Sequence, residues 1–211
     1  MIVSIDCWGT LLKGSPTFNQ AKIQLVKKYF NEIYSDVSIQ SAFDITKMRL
    51  NDIIENSGGI QPTSNQIFTF LFSKLMGYYT KWRYLPDFIK EYQELALTHP
   101  PVIYSSDTKQ VFENISKIAH IVISSNTMFV SGETLKQVLM NMGLGKLVTT
   151  FHFSDEMGVA KPNKLMYFGS DFHIGDNYTT DLTGATLAGS KGILIHSNNK
   201  TIRDAYDIIL Q

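Results

Sequence analysis

Among 211 residues there is one cysteine, Cys7, which excludes an internal disulfide framework and a multi-cysteine zinc site and fits a reducing compartment. A surplus of one charge is missing too: 19 Lys and Arg stand against 19 Asp and Glu. A nucleic-acid binder needs a basic excess because phosphate neutralisation carries most of its affinity, and a cationic membrane-surface protein needs a similar one. Neither partner is expected. No window approaches the ~18 uninterrupted apolar residues of a membrane-crossing helix. Met1 runs into Ile2-Val3-Ser4-Ile5 without a charged leader, so the expected location is the cytoplasm. Charged residues make up only 18%, against about 25% in an average globular chain. With 44% hydrophobic residues, the chain is expected to bury roughly 70% of its unfolded surface, as one domain or one core plus an insertion.

The two halves have different rhythms. Residues 17–98 show little strand character and four stretches at helical spacing, Phe18–Tyr34, Ile39–Asn56, Ser64–Tyr79 and Pro86–Thr98. Ser57-Gly58-Gly59, Gln61-Pro62-Thr63 and His99-Pro100-Pro101 break them. From Pro101 onward, short apolar runs at His120–Ser124, Thr150–Phe153, Phe172–Ile174 and Gly192–Ile195 alternate with helix-like segments at Thr108–Ile118, Ser131–Met142, Lys164–Gly169, Thr180–Ala188 and Thr201–Leu210. Such alternation predicts an α/β fold, a doubly wound parallel sheet, with Ile2–Ile5 as a fifth strand. The expected division is a core of residues 1–14 and 99–211 and an inserted helical cap of residues 15–98. Ligands of open α/β sheets bind at the carboxyl ends of the strands, and an insertion leaving just after the first strand can close over that edge as a lid.

Several strands end in small or acidic polar residues: Asp6, then Ser124-Ser125-Asn126, then Ser154-Asp155, then Gly175-Asp176-Asn177. A parallel sheet brings these termini together, so Asp6, Asp176 and, as a third candidate, Asp181 form a carboxylate cluster. Close carboxylates share a proton or hold a hard divalent cation such as Mg2+. Lys161, between the third strand and the following helix, adds a positive charge suited to an anionic substrate.

Four segments carry a resemblance to a known family. Asp6-Cys7-Trp8-Gly9-Thr10-Leu11-Leu12, Ser125-Asn126, Gly158-Val159-Ala160-Lys161-Pro162 and the run from Gly175-Asp176-Asn177 to Asp181-Leu182-Thr183-Gly184-Ala185 are similar to the four ordered motifs of the haloacid dehalogenase (HAD) superfamily. The resemblance implies a HAD-like hydrolase with its helical cap after the first motif. Asp6 would be the nucleophile of a covalent aspartyl intermediate, Ser125 would hydrogen-bond the transferring group, and Lys161 would offset its charge. Mg2+ would sit on Asp6, Asp176 and the backbone carbonyl of Trp8, with Asp181 orienting that shell or Lys161 from further out. Trp8 and Asn126 would contact a small phosphorylated substrate.

Position 8 departs from the pattern. Phosphatases of this superfamily place there an Asp that protonates the leaving oxygen and activates water, tasks that indole cannot perform. Haloacid dehalogenases carry an aromatic residue at this place and need no metal, yet Asp176 belongs to the metal-binding pattern. Three readings stay open: a Mg2+-dependent phosphatase of a small metabolite, a metal-independent 2-haloacid dehalogenase, and a catalytically impaired phosphate-binding or regulatory relative.

Each residue also has a plainer role available. Asp6 and Asp176 could cap strands, Ser125 could belong to a turn, Lys161 could be solvated, and Asp181 could favour a helix N-terminus. Cys7 and His173 read as interior residues, and Gly184, Ala185, Ala188 and Gly189 as packing residues. The aromatics Phe68, Phe70, Phe72, Tyr78, Tyr79, Trp82 and Tyr84 read mainly as interior packing, with one or two available to the pocket. Arg49 and Arg83 are the cationic candidates for clamping an anion from the cap.

Overall fold

The computed structural model describes residues 1–78, 82–167, 169–196 and 200–211. The chain opens with β1 (Ile2–Ile5) and the two-residue β2 (Leu12–Lys13), followed by α1 (Pro16–Tyr29), α2 (Asp36–Asn56), α3 (Ser64–Met76) and α4 (Leu85–Thr98). It continues through β3 (Val102–Ile103), α5 (Thr108–Ile115), β4 (His120–Ser125), α6 (Gly132–Asn141), β5 (Val148–Phe153) and α7 (Ser154–Met157). The last elements are β6 (Phe172–Gly175), α8 (Gly184–Leu187), β7 (Lys191–Leu194) and α9 (Ile202–Ile209).

The expected α/β architecture is present. Among the described residues the main sheet has five strands in the order β5-β4-β1-β6-β7, each neighbouring pair parallel. β1 is central: Ile5 pairs with Ile123 on one side and Ile174 on the other. Val3, Ser4 and Ile5 are all buried, as a strand covered on both faces requires. From β1 the chain runs to β4 and then β5 on one side, and from β5 it crosses to β6 and then β7 on the other, so the strand order reverses at β1 and makes a topological switch point at its carboxyl end.

The four long helices pack on one another, and their rings interlock: Phe68 and Phe72 meet Phe88 edge-on, and Phe18 meets Tyr92. Phe129, from the loop after β4, enters this cluster and packs against Phe43 and Phe68, so the helices and the sheet share one apolar cluster. Polar contacts tie them as well. Gln93 donates to the Phe129 carbonyl and accepts the Ser131 N–H, while the Ala160 N–H donates to the Gly59 carbonyl at 2.7 Å. Gly59 has φ +92°, and a Cβ there would lie 2.3 Å from the Ala160 oxygen.

Some elements differ from expectation. The helix expected over Phe18–Tyr34 starts at Pro16, where Ser15 caps it, and stops at Tyr29 because Asn31 and Glu32 take left-handed φ values of +49° and +59°. The third helix stops at Met76, before Gly77 at φ +77°; Tyr79 lies outside the described residues. The segment expected as a helix over Lys164–Gly169 is a single tight turn, Lys164–Tyr167, and Phe168 lies outside the described residues. Thr180–Ala188 divides into a wide π-type turn, Tyr178–Thr183, and α8. The antiparallel β2–β3 pair at the two ends of the helical segment is an addition to the expected elements. Gly184 serves packing as expected, since a Cβ would meet the Tyr167 hydroxyl, but Gly189 is a turn residue at φ +89° with open space around it. No helix among the described residues is long and apolar enough to cross a membrane.

Candidate active site

The backbone places Asp6 one residue beyond β1, where its N–H donates to the Ile174 carbonyl at 2.9 Å. The residue is buried, only 5% exposed. Asp6 Oδ1 accepts from Ser125 Oγ at 3.0 Å and from Lys161 Nζ at 2.7 Å. Lys161, itself 2% exposed, also donates to Asp181 Oδ1 at 2.6 Å. The structure thus joins residues from four strand ends, as the motif order implied. Asn126 carries the lysine loop: its amide donates to the Lys161 carbonyl at 2.9 Å and its oxygen accepts the Lys161 N–H at 2.6 Å. Both polar groups of the Asn126 side chain are therefore engaged with the protein, although the residue lines the cleft.

One oxygen of each of Asp6, Asp176 and Asp181 lies within 4.8 Å of the others. Their surroundings separate their roles. Asp181 Oδ1 accepts from Lys161 and meets His173 Nε2 at 3.0 Å, while Oδ2 accepts the Asn177 N–H at 2.9 Å, so both oxygens are occupied. Asp176 is exposed, and among the described residues only its Oδ1 is engaged, by the Thr10 hydroxyl at 2.9 Å. The same hydroxyl lies 3.2 Å from Asp6 Oδ2, and with one hydrogen it can serve one carboxylate at a time. Gly9 passes beneath Asp176 at φ +83°; a Cβ there would lie 2.4 Å from Asp176 Oδ2. The unspent oxygens are those of Asp6 and Asp176, hard donors suited to a divalent cation.

The electrostatics follow from burial and pairing. Burial pushes the Asp6 carboxyl up to about 6, against the pull of Lys161. Burial would also raise Asp181, but Lys161 and His173 overcome it and hold the carboxyl well below its ordinary range. Lys161 loses hydration, yet Asp181 and Asp6 keep its ammonium charged above the usual lysine range. Burial lowers His173, so the neutral ring donates from Nε2 to Asp181 and accepts from Ser4 Oγ at 2.7 Å through Nδ1. His173 is interior, as expected, and also holds Asp181 from behind. Cys7 lies in the apolar core and burial raises its thiol.

A cleft of about 590 Å³ opens above Asp6. Its walls include Trp8, the sequence candidate for substrate contact, together with Phe18, Phe43, Tyr92 and Phe129 in place of the aromatics singled out between Phe68 and Tyr84. Phe68 and Phe72 are buried packing residues as expected, while Tyr78 and Tyr84 are exposed. The cationic candidates are replaced too. Arg49 pairs with Asp52 on an exposed face and Arg83 lies against Tyr84, whereas Lys22 and Lys47 line the cleft. Lys22 had a visible signal: it occupies the apolar stripe Phe18, Leu25, Val26 and Tyr29 of α1 one turn after Phe18. Thr10, the link between two acids, stood unassigned inside the first motif.

No protein-family model matches the chain, and no curated protein matches it by sequence. Solved structures do. A HAD-hydrolase from Bacillus subtilis bound to magnesium, YfnB, superposes with a TM-score of 0.74 at 16% identity, covering 100% of this chain and 98% of that one. A 2-haloacid dehalogenase from Pseudomonas syringae gives 0.65 at 13% identity over 99% and 97% of the two chains. A HAD phosphatase from Thermococcus onnurineus gives 0.62 at 18% identity, again over 99% and 97%. The chain therefore has the fold of the HAD hydrolases along its whole length, a fold that hosts both phosphoryl and haloacid chemistry among these neighbours.

Proposed function

We propose that this protein is a HAD-type hydrolase that cleaves small phosphate monoesters through Asp6, with Mg2+ held by Asp6, Asp176 and the backbone carbonyl of Trp8. The observation that carries this reading is Asp176 beside Asp6 with the Thr10 hydroxyl within reach of both; when it donates to Asp176 Oδ1, Asp6 Oδ2 and Asp176 Oδ2 have no donor among the described residues. Bound there, Mg2+ would supply positive charge to the transferring phosphoryl group.

The remaining chemistry belongs to the chain. An Asp6 oxygen attacks phosphorus, the bond from phosphorus to the ester oxygen breaks, and an aspartyl phosphate forms while the ester oxygen leaves as an oxyanion that takes its proton from water. Water then attacks phosphorus, releasing phosphate and the Asp6 carboxylate. Lys161 and Ser125 hold Asp6 from the side opposite Thr10 and counter the charge that develops on the phosphoryl oxygens. Trp8 has no proton to give the departing oxygen, so esters with weakly basic leaving groups are the favoured substrates. The helices roofing the cleft act as the cap that excludes bulk water during the first step.

A 2-haloacid dehalogenase activity is the second reading, favoured by the indole of Trp8 at the cleft wall, because a departing halide needs no proton. One experiment separates the two. Phosphate and halide release are measured on a panel of phosphorylated metabolites, an aryl phosphate and a 2-haloacid, with Mg2+ or chelator, for wild type and Asp6→Asn. Metal-dependent phosphate release abolished by Asp6→Asn supports the phosphatase. Halide release indifferent to chelator replaces it with the dehalogenase, and no turnover refutes both.

A further inference from the structure

The wall of the cleft holds a cation that the hydrolytic machinery does not use. Lys22 sits on the buried stripe of α1 and is only 9% exposed, with its Nζ 4.8 Å from the centroid of the Phe43 ring. Among the described residues it makes no hydrogen bond and has no carboxylate within 4.0 Å. The nearest acid in sequence to Phe43, Asp44, accepts instead from Gln40 Nε2 at 2.9 Å. A largely desolvated ammonium without an anionic partner is costly, and a cation–π contact offsets only part of that cost. The ammonium nevertheless borders the cleft that contains Asp6 and Lys161. Lys47, one helical turn beyond Phe43 on α2, borders it too. Burial lowers the affinity of Lys22 for its proton and Lys47 adds to the effect, while Asp44 opposes it. An arriving anion would favour the charged form and supply the missing partner.

Four lysines line the cleft, Lys13, Lys22, Lys47 and Lys161. Of the two buried ones, Lys161 is paired with Asp6 and Asp181 while Lys22 has no carboxylate partner among the described residues, which leaves it a place for a second anionic group of the ligand. We infer that Lys22, assisted by Lys47, is an anion subsite, and that the substrate is a phosphate monoester whose leaving portion carries a second anionic group, a carboxylate or another phosphate. The inference rests on the phosphatase reading for the first group; the second follows from Lys22 alone.

The test uses three matched esters of a three-carbon chain: 3-hydroxypropyl phosphate, 3-phosphooxypropanoate and propane-1,3-diyl bisphosphate. Their affinities are measured by calorimetry on full-length Asp6→Asn protein with Mg2+, alone and combined with Lys22→Gln or Lys22→Met; the latter suits the apolar stripe and guards against misfolding. The expected result is about tenfold or tighter binding of at least one charged-end ester over the hydroxyl ester, lost in both Lys22 variants. The charged end that shows the preference identifies the second group. Equal affinity for all three esters, or a preference that survives removal of Lys22, overturns the subsite and leaves the phosphatase reading intact. Preference for a charged end with no hydrolysis of these esters or of an aryl phosphate by the wild type keeps the subsite and overturns the phosphatase, and failure of every ester to bind Asp6→Asn together with no hydrolysis by the wild type overturns both.

Discussion

Lys161 Nζ and Asp6 Oδ1 lie 2.7 Å apart although 155 positions separate them in sequence. The pair is almost fully buried, so neither charge is stabilised by water, and each depends on charged or polar partners within the protein. Because Asp181 also claims Lys161, the lysine cannot neutralise Asp6 completely, and Asp6 remains a poised carboxylate.

That poise has a thermodynamic signature. The unfolded chain ionises Asp6 near its ordinary value of 3.8, and the folded, metal-free chain near 6. Between those values only the folded state keeps the proton, so this group's stabilisation is complete below pH 3.8 and is lost as pH rises through 6. Asp6→Asn is therefore expected to stabilise the metal-free protein at pH 7.5 by on the order of 3 kcal/mol. Urea unfolding at pH 7.5 and pH 4 checks this: the gain should vanish at the lower pH and shrink at pH 7.5 when Mg2+ is added.

Thr10 positions both unspent acids through one hydroxyl. Thr10→Val removes the hydroxyl at nearly constant volume and is expected to weaken Mg2+ binding about 10- to 100-fold. Thr10→Ser should retain most of the affinity. Calorimetric Mg2+ titration decides, and equal affinities for the two variants would count against a positioning role.

Gly9 gives Asp176 its room. Gly9→Ala places a Cβ where the Asp176 carboxylate lies and strains a backbone at φ +83°. The expected outcome is about 1–3 kcal/mol of destabilisation and loss of measurable Mg2+ binding. A thermal melt read alongside the Mg2+ titration tests both parts.

Trp8→Asp restores an acid at the place where a departing oxygen needs one. Phosphate release from an alkyl ester should rise about tenfold or more, less than the full 10²–10⁴ range because replacing indole leaves a cavity. An unchanged or lower rate in a folded variant would contradict this account of position 8.

Much of this arrangement was legible because it follows from strand ends. Apolar β-branched runs mark a parallel sheet, and a parallel sheet gathers whatever stands at its carboxyl edge, which is how Asp6, Ser125, Lys161 and Asp176 could be grouped from distant segments. The fate of Asp181 was less legible, since its neighbour His173 and the turn that aims it depend on hydrogen bonds, not on periodicity. Strands of two residues, such as Leu12–Lys13, carry no alternation to detect. The end of α1 depended on left-handed residues that are neither glycine nor proline. Arg49 and Arg83 misled because charge alone says nothing about the face a helix presents, whereas Lys22 interrupts an apolar stripe.

The bond between the Ala160 N–H and the Gly59 carbonyl links the loop between α2 and α3 to the residue next to Lys161. Swinging the helices outward must either break that bond or drag the lysine backbone along. Under the proposed cap reading, access to the cleft and placement of its central positive charge share one mechanical coordinate.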